Sequence, residues 1–307
     1  MKPRSGEADT AAIVARAAGE LERLLARPLA PGLHVVATPI GNLGDVTLRA
    51  LAALARADVL YCEDTRHSRT LLAHYGISRP ARTYHEHNAE REREHILAEL
   101  GAGKSVALIS DAGTPLVSDP GYKLVRAVLD AGHAVTALPG ASAALAALAV
   151  AGLATDTFLF AGFLPVKHGA RQSRLAELKA TPATLIFFEA PSRVAASLQD
   201  MAEVYGGREV AVARELTKLH ESVVRGSPAD LAKWAATSAP KGEFVILVGP
   251  PGPPTATDED LASALEPLLS EMSLAEAARR VAETFAVPKA RVYDIGLMLK
   301  GRMDRPT

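Results

Sequence analysis

Residues 106–138 read VALISDAGTPLVSDPGYKLVRAVLDAGHAVTAL, and this stretch indicates the class of fold. The apolar run from Val106 to Ser110 predicts a strand that ends in a polar loop containing Gly and Pro. Tyr122 to Ala131 then predicts a helix that Gly132 stops, and Ala134 to Leu138 predicts a further strand. Strands and helices that alternate in this way are typical of an α/β fold.

The same alternation extends on both sides of this stretch. Upstream, HVVA and VLYC predict strands, each followed by a helical pattern, of which the first opens at Asp45. Downstream, after a helical pattern from Ser142 to Ala151, the apolar runs TFLFAGF, TLIFF, REVAVAR, ESVVRG and EFVILVG follow with fewer helices between them. We therefore predict a first α/β domain over residues 33–151, a second α+β domain over residues 152–249, and a ligand cleft between them.

Two terminal segments lie outside this pattern. Residues 1–32 are rich in Ala, Arg and Glu and carry loosely spaced apolar residues, as on an amphipathic helix, so we expect either a frayed N-terminal extension or a start codon assigned too far upstream. After the prolines of residues 250–254, residues 256–302 predict a small C-terminal helical region, with a capping box at Ser273 and Glu276. A helix-turn-helix around Val287 is one interpretation, but a packed helical appendage is favoured.

The composition is that of an ordinary soluble globular protein. The 307 residues are 48% hydrophobic and 22% charged, and 34 basic against 35 acidic residues give a net charge of −1. Any RNA binding must therefore come from a local basic patch. The single Cys62 cannot form an intramolecular disulfide or a cysteine zinc site, and no signal peptide or membrane-spanning run is evident. These features predict a cytoplasmic protein that lies outside the membrane.

Two polar motifs follow strands of the first domain. EDTRH at residues 63–67 stands where open α/β sheets bind ligands, although Asp64 could equally cap a helix while Arg66 pairs with a carboxylate. YHEHN brings His85 and His87 to one face of a predicted strand. No third ligand is near in sequence, so contact with substrate or simple exposure is favoured and we predict no metal.

Of three polar loops that follow strands, two suit a cofactor that contains an amino acid and a flat ring, and the first is weak evidence when taken alone. TPIGNLGD at residues 38–45 has neither the P-loop pattern nor the dinucleotide fingerprint. The loop at residues 110–121 offers backbone N–H groups for a carboxylate, and Asp111 or Asp119 for hydroxyls or an ammonium. PGASA at residues 139–143 has small residues that admit a ring, although Ser142 could instead be an N-cap.

The polar motifs of the second half are less specific. Lys167, His168, Arg171 and Arg174 form a positive cluster that either binds phosphates or is a solvated turn. EAPSR, RELTK and KGEF stand at strand boundaries, and each could equally hold a structural ion pair.

Read in series, TPIGNLGD, EDTRH, SDAGTPLVSDPGY, PGASA, GFLP, EAPSR, RELTK and KGEFV resemble the ribosomal RNA small-subunit methyltransferase I family over residues 33–248. The resemblance implies two α/β domains of the tetrapyrrole methylase type with S-adenosylmethionine in the cleft between them, a helical C-terminal region and a homodimer. It also implies 2′-O-methylation of a cytidine in the decoding region of 16S rRNA, either free or in the small ribosomal subunit. The departures are the N-terminal extension and PGASA, where relatives often have Pro-Gly-Pro.

By this resemblance, the cofactor contacts residues of both domains, namely Pro39, Asp111, Gly113, Thr114, Ser118, Asp119, Ser142, Ala143, Leu164 and Phe244. Methyl transfer to a ribose hydroxyl is helped by a base and by a cation that stabilises the developing oxyanion. Asp64, His67 and Glu243 are candidate bases, and Arg66 and Lys218 are candidate stabilisers. We favour Asp64, Arg66 and His67 as the catalytic cluster.

Two other functions remain open from the sequence. One is a related methyltransferase that acts on a tetrapyrrole or a protein side chain, and EDTRH and YHEHN argue against it. The other is a non-catalytic RNA-binding ribosome assembly factor, against which the intact SDAGTPLVSDPG loop speaks.

Overall fold

The computed structural model describes residues 9–116, 121–238, 241–252, 257–285 and 287–303. Within these residues the chain forms ten strands: β1 Gly32–Val36, β2 Val59–Cys62, β3 Ala81–Thr83, β4 Ser105–Ile109, β5 Val135–Leu138, β6 Phe158–Phe163, β7 Thr184–Glu189, β8 Val210–Arg214, β9 Ser222–Gly226 and β10 Phe244–Val248. The same residues form twelve α-helices: α1 Thr10–Leu25, α2 Leu48–Arg56, α3 Thr65–His74, α4 Ala89–Gly101, α5 Tyr122–Asp130, α6 Ala143–Ala151, α7 His168–Leu178, α8 Val194–Tyr205, α9 Pro228–Ser238, α10 Asp258–Leu269, α11 Leu274–Phe285 and α12 Lys289–Met303.

The first five strands form a parallel sheet in the order β3-β2-β4-β1-β5. Strands β1, β2 and β4 are buried along their whole length, because helices cover both faces of the sheet. One face packs on α2 and α3, and the other on α4 and α5. Since all five strands run the same way, the loops that follow them emerge at one edge, where such sheets bind ligands.

The last five strands form a mixed sheet in the order β6-β7-β10-β8-β9, in which only the β6–β7 pair is parallel. Helices α7, α8 and α9 cover one face. The other face packs on α6 and on Ile40 from the loop after β1. Both sheets lie in one compact unit, Met1–Gly249, and the domain bounds predicted at residues 33–151 and 152–249 stay predictions.

The strands predicted for both halves are confirmed within one or two residues, but two local predictions are wrong. The helix after β1 does not open at Asp45, which ends a short 3-10 turn; Thr47 is the N-cap, and its side chain accepts from the Ala50 N–H at 3.1 Å. His85 and His87 do not lie in a strand, because β3 ends at Thr83. Strand β3 is a short edge strand with little burial, so hydrophobic periodicity could not fix its end.

The predicted N-terminal helix is present as α1, with Asp9 as its N-cap. It packs on α2, although its Ile13 and Val14 stay more than half exposed. Residues 1–8 lie outside the described part of the chain.

Residues 250–307 form a second compact unit, which contains α10, α11 and α12. Its three helices enclose a small apolar core made of Leu261, Leu265, Ala277, Ala278, Val281, Ala282, Val292 and Ile295. The complete capping box lies at Thr257 and Asp260. At the predicted box only half is present, since the Glu276 N–H donates to the Ser273 hydroxyl at 3.3 Å. Across the described ranges, no helix combines the length and the apolar character that crossing a bilayer requires.

Candidate active site

A cavity of about 350 Å³ lies between the loops of the two sheets. Residues from the first half of the chain form one wall: Ile40, Asp111, Ala112, Gly113, Thr114, Ser142 and Ala143. Residues from the second half form the opposite wall: Phe163, Phe188, Glu189, Ala190, Pro191, Gly242, Glu243, Phe244 and Val245. A pocket of this size, mostly apolar with a few polar groups, is typical of a small-molecule site.

Backbone hydrogen bonds join the loops after β1 and β4, which contribute to the first wall of the cavity. Thr38 and Gly113 exchange two backbone hydrogen bonds, of 2.8 and 3.1 Å. Gly113 has φ +80°, and a Cβ there would approach Ile40 to 3.2 Å. A side chain at position 113 would therefore be strained and crowded against the cavity wall.

The loop after β5 completes the first wall. Gly140 lies directly over Ala37, so that an added Cβ would come within 2.9 Å of it. The Thr114 hydroxyl donates to the Ala141 carbonyl at 3.3 Å and ties this loop to the one after β4. Ser142 occupies the N-cap position of α6, but its side chain makes no capping hydrogen bond. The interpretation of Ser142 as a simple helix cap therefore has no capping hydrogen bond to support it.

Three of the nine residues of the second wall carry aromatic rings. Phe163 and Phe188 pack edge to face with centroids 5.7 Å apart, and Phe244 lies in the buried strand β10. Together with the small residues opposite, these rings offer a flat apolar slot.

The EAPSR motif anchors this wall from behind through a buried ion pair. The Glu189 side chain is fully buried, lies 3.0 Å from Arg193 Nε, and accepts from the Ser197 hydroxyl at 2.5 Å and the Ala190 N–H at 2.9 Å. Arg193 also donates to the Leu164 carbonyl. Every Glu189 contact is to another residue of the chain. These contacts support the interpretation of EAPSR as a structural ion pair.

RELTK and KGEF meet at the rim of the cavity. The Lys218 ammonium donates to Glu215 at 2.8 Å and to Glu243 at 2.9 Å. These contacts lower the pKa of Glu215, chiefly through the hydrogen bond from Lys218. A Cβ on Gly242, which has φ +95°, would lie 2.4 Å from the Glu215 carboxyl. Glu215 itself has φ +49°, and such backbone strain in a non-glycine residue is frequent near functional sites.

The EDTRH motif stands at the carboxyl end of β2, where α3 begins. Asp64 is the N-cap of α3: its carboxylate accepts from the Arg66 N–H at 2.8 Å and also from the Arg66 guanidinium. Both hydrogen bonds hold the pKa of Asp64 well below its ordinary value. The capping and pairing roles considered for Asp64 and Arg66 are therefore present, and they make Asp64 a weak base.

His67 projects from the first turn of α3 and meets Asp111 from the loop after β4. Its Nδ1–H donates to Asp111 Oδ2 at 3.0 Å, because a carboxylate only accepts. The other oxygen, Oδ1, accepts from the Asp64 N–H at 2.9 Å. The His67 side chain remains 67% exposed. Asp111 thus borders the cavity and also fixes the neighbouring histidine, which is a second role that the sequence did not predict.

The predicted cofactor residues are placed as follows. Six line the cavity: Asp111, Gly113, Thr114, Ser142, Ala143 and Phe244. Pro39 and Leu164 do not line it, although their neighbours Ile40 and Phe163 do. Ser118 and Asp119 lie outside the described residues. Sequence reasoning did not assign the other ten lining residues to the cofactor, although nine of them stand in the quoted motifs. Phe188 stands in none of these motifs, and its only signal was its position next to the end of β7.

The positive cluster predicted in the second half is mostly neutralised. The Arg171 guanidinium is buried and pairs with Asp200 at 2.5 Å, and His168 lies 2.9 Å from the same carboxylate. Arg174 pairs with Glu177. Asp200 and Glu177 thus pair with three of the four basic residues, and a phosphate-binding role for the cluster stays a prediction.

The described residues contain no group of three or more His, Cys, Asp or Glu side chains arranged for a metal. The His85 and His87 rings lie 6.0 Å apart. Cys62 is buried in the first core, and burial raises the pKa of its thiol.

Comparison with known proteins gives two family matches. The model described as Tetrapyrrole (Corrin/Porphyrin) Methylases matches residues 32–232, and the one described as RsmI C-terminal HTH domain matches residues 255–300. The second match covers the predicted C-terminal helical region, whose three helices pack on a shared apolar core.

Curated relatives cover most of the chain. A protein of Mesorhizobium japonicum named "Ribosomal RNA small subunit methyltransferase I" is 53% identical over 277 residues, which are 90% of this chain and 94% of the relative. A protein of the same name from Xylella fastidiosa is 48% identical and covers 86% of this chain and 98% of its own.

Solved structures with lower identity share the fold. A cobalt precorrin-4 methyltransferase superposes with a TM-score of 0.53 at 20% identity and covers 71% of this chain and 94% of its own. A uroporphyrin-III-C-methyltransferase from Thermus thermophilus gives the same TM-score at 21% identity, with 71% and 94% covered. At these identities the likeness shows the fold alone.

Proposed function

The chain belongs to the ribosomal RNA small-subunit methyltransferase I family, and we propose that it transfers the methyl group of S-adenosylmethionine to the 2′-hydroxyl of a cytidine in the decoding region of 16S rRNA. One observation carries the proposal. Asp111 both lines the cavity between the sheets and holds His67 at the surface beside it, so that a cofactor site and a candidate base share one residue.

The cavity residues fit the cofactor. The small side chains of Ser142 and Ala143 face the rings of Phe163, Phe188 and Phe244, which suits an adenine ring. The backbone of Thr114, which lines the cavity next to the Thr38–Gly113 pair, offers polar groups to the amino-acid part. When bound, S-adenosylmethionine supplies an electrophilic methyl group on a sulfonium, and the carboxylates of Asp111 and Glu243 at the cavity favour its positive charge.

His67 is the candidate base that the contacts favour. Asp64 is too acidic for the role, and Glu243 is held by Lys218. In the neutral tautomer that donates Nδ1–H to Asp111, Nε2 of His67 carries the lone pair that accepts the ribose hydroxyl proton in this proposal. This arrangement of an imidazole oriented by a carboxylate is the one that serine hydrolases use to remove a hydroxyl proton.

Arg66 supplies the positive charge of the catalytic cluster. Its side chain is 84% exposed while it stays paired with Asp64, so that the remaining guanidinium donors face solvent next to His67. A guanidinium in this place stabilises the developing oxyanion and binds a phosphate of the RNA backbone.

The protein acts as a homodimer in the cytoplasm, and the edge strand β6 is the surface that supports the dimer. Phe158, Leu159 and Phe163 of this strand are exposed by more than a third. An exposed aromatic edge is typical of an oligomer interface. Light scattering after gel filtration tests this: we expect a dimer for the wild type and a monomer for Phe158→Glu, while an unchanged mass for the variant would refute this interface.

The function is tested by transfer of labelled methyl groups to small ribosomal subunits that lack their native modification, followed by mapping of the labelled nucleotide. Label on the ribose of a decoding-region cytidine is the expected result. If the protein bound S-adenosylhomocysteine but transferred no label to subunits or to free rRNA, the proposed RNA substrate would be wrong. The assignment of a methyltransferase fold would still stand.

A further inference from the structure

Glu63 stands at the centre of the polar loops at the carboxyl edge of the first sheet, yet the chemistry described above does not use it. It is the first residue after β2, the strand that lies between β3 and β4. The Tyr84 N–H bonds to the Cys62 carbonyl at 2.8 Å, which brings the segment after β3 alongside. Glu63 therefore lies between His85, which follows β3, and Asp111, which follows β4.

The Glu63 carboxylate has no partner within the described chain. It is half-buried, and it makes no hydrogen bond or ion pair with a described residue. Its neighbours differ, because Asp64 pairs with Arg66 and Asp111 pairs with His67. Burial, together with the negative charge of Asp111, raises the pKa of Glu63, while His85 and His67 act in the opposite direction. A polar group that is desolvated without a partner is costly, so a ligand that supplies a donor is favoured there.

The imidazole of His85 is the second unsatisfied group. Its Nδ1 atom is buried and has no hydrogen-bond partner within the described chain. The backbone around it is well tied, because the His85 N–H donates to Asn88 Oδ1 at 2.8 Å and Asn88 Nδ2 donates to the Thr83 carbonyl at 2.9 Å. The loop thus holds the ring in place while the ring itself lacks a complete set of partners.

We propose that Glu63 and His85 bind the nucleobase of the target cytidine, with the carboxylate accepting from the N4 amino group and the imidazole donating to the ring. This inference rests on the proposed function. An enzyme that modifies a ribose within a structured RNA gains access when the nucleotide leaves its stack, and it then reads the freed edge of the base by hydrogen bonds. His67, four residues after Glu63, receives the ribose of the same nucleotide.

The pair would select cytidine over uridine through charge and hydrogen-bonding pattern. Cytosine presents a donor at N4 and an acceptor at N3, and a carboxylate accepts from the cytosine amino group. Uracil presents a carbonyl oxygen and an N–H at the same two places. Opposite a fixed carboxylate, the uracil carbonyl would place two acceptors together, and the site would reject it.

The Glu63→Gln variant tests the proposal. Glutamine carries a donor and an acceptor and can turn to pair with either nucleobase. We measure kcat/KM on unmodified small subunits with cytidine or uridine at the target position. The ratio of cytidine to uridine should fall by about 10- to 100-fold in the variant, the range that one well-made nucleobase contact gives. Activity on uridine should rise, and activity on cytidine should fall less than about 10-fold.

Glu86→Gln is the matched control, because Glu86 is an exposed carboxylate one residue beyond His85 and should leave the ratio unchanged. His85→Ala is the second variant and should lower kcat/KM on cytidine while binding of S-adenosylhomocysteine persists. An unchanged ratio in Glu63→Gln would overturn the proposal, and loss of activity on both substrates would make Glu63 the general base instead. If the wild type labelled neither substrate, the proposed function would fail, and this inference with it.

Discussion

The motifs EDTRH and EAPSR look alike in sequence, since each places a Glu at the end of a strand and an Arg three or four residues later. In the structure they differ in burial. Glu189 is fully buried, and its carboxylate pairs with Arg193 and accepts from the Ser197 hydroxyl. Glu63 is half-buried without a partner, beside the exposed Arg66 and His67. A satisfied charged cluster supports the wall of a site, whereas an unsatisfied one next to a cavity is available to a ligand.

The largest effect that this comparison predicts is on stability. Glu189→Gln removes the charge opposite Arg193 in a buried setting, so we expect the free energy of unfolding to fall by about 3 kcal/mol. Urea denaturation followed by circular dichroism measures it. The control Glu177→Gln, in an exposed pair with Arg174, should cost at most about 0.5 kcal/mol. Equal losses in the two variants would remove the distinction between the motifs.

The second prediction concerns turnover. His67→Ala should lower kcat by about 10²- to 10⁴-fold, as expected for loss of a general base, with the unfolding free energy unchanged. Asp111→Asn should lower kcat as well, because Asp111 orients the imidazole through its 3.0 Å contact. The double variant should lose little more than His67→Ala alone, since the two residues act as a unit. Additive losses would mean that Asp111 acts independently of His67.

The third prediction tests whether the positive charge of Arg66 contributes to turnover of the RNA substrate without contributing to cofactor binding. Arg66→Ala should lower kcat/KM for small subunits by about 10-fold and leave the Kd for S-adenosylhomocysteine unchanged, because Arg66 does not line the cavity. Arg126→Ala, an exposed arginine paired with Asp130 on α5, is the control and should leave both unchanged. Full activity of Arg66→Ala would remove Arg66 from the catalytic cluster.

Much of the fold was readable from the sequence because the buried strands of an α/β sheet need apolar runs, and the loops between them need Gly and Pro. Strands β2 and β4 follow this rule closely. The start of α2 was misplaced because Asp45 and Thr47 both suit an N-cap, and the intervening 3-10 turn has no clear sequence signal. The motifs likewise predicted six of the cavity residues, since loops after parallel strands emerge together.

Pairing across the chain was not readable. Arg171 was grouped with its basic neighbours, but its partner Asp200 lies 29 residues away on the adjacent helix α8. The contact of His67 with Asp111 spans 44 residues. Local patterns predict which elements form, but only packing brings such residues together, and thereby separates a charged motif that is structural from one that is free to act.

The smallest expected effect concerns two hydroxyl side chains, one with an internal hydrogen-bond partner and one without a capping partner. Ser142 stands at the N-cap of α6 without a capping hydrogen bond, whereas Thr47 caps α2 with one at 3.1 Å. Thr47→Ala should therefore lower the unfolding free energy by about 1 kcal/mol, and Ser142→Ala by much less. Conversely, Ser142→Ala should weaken S-adenosylhomocysteine binding in calorimetry by about 5-fold, the loss of one neutral hydrogen bond, while Thr47→Ala leaves it unchanged. If Ser142→Ala instead destabilised the protein as much as Thr47→Ala and bound S-adenosylhomocysteine normally, the residue would be a helix cap, and the cavity would lose one of its polar contacts.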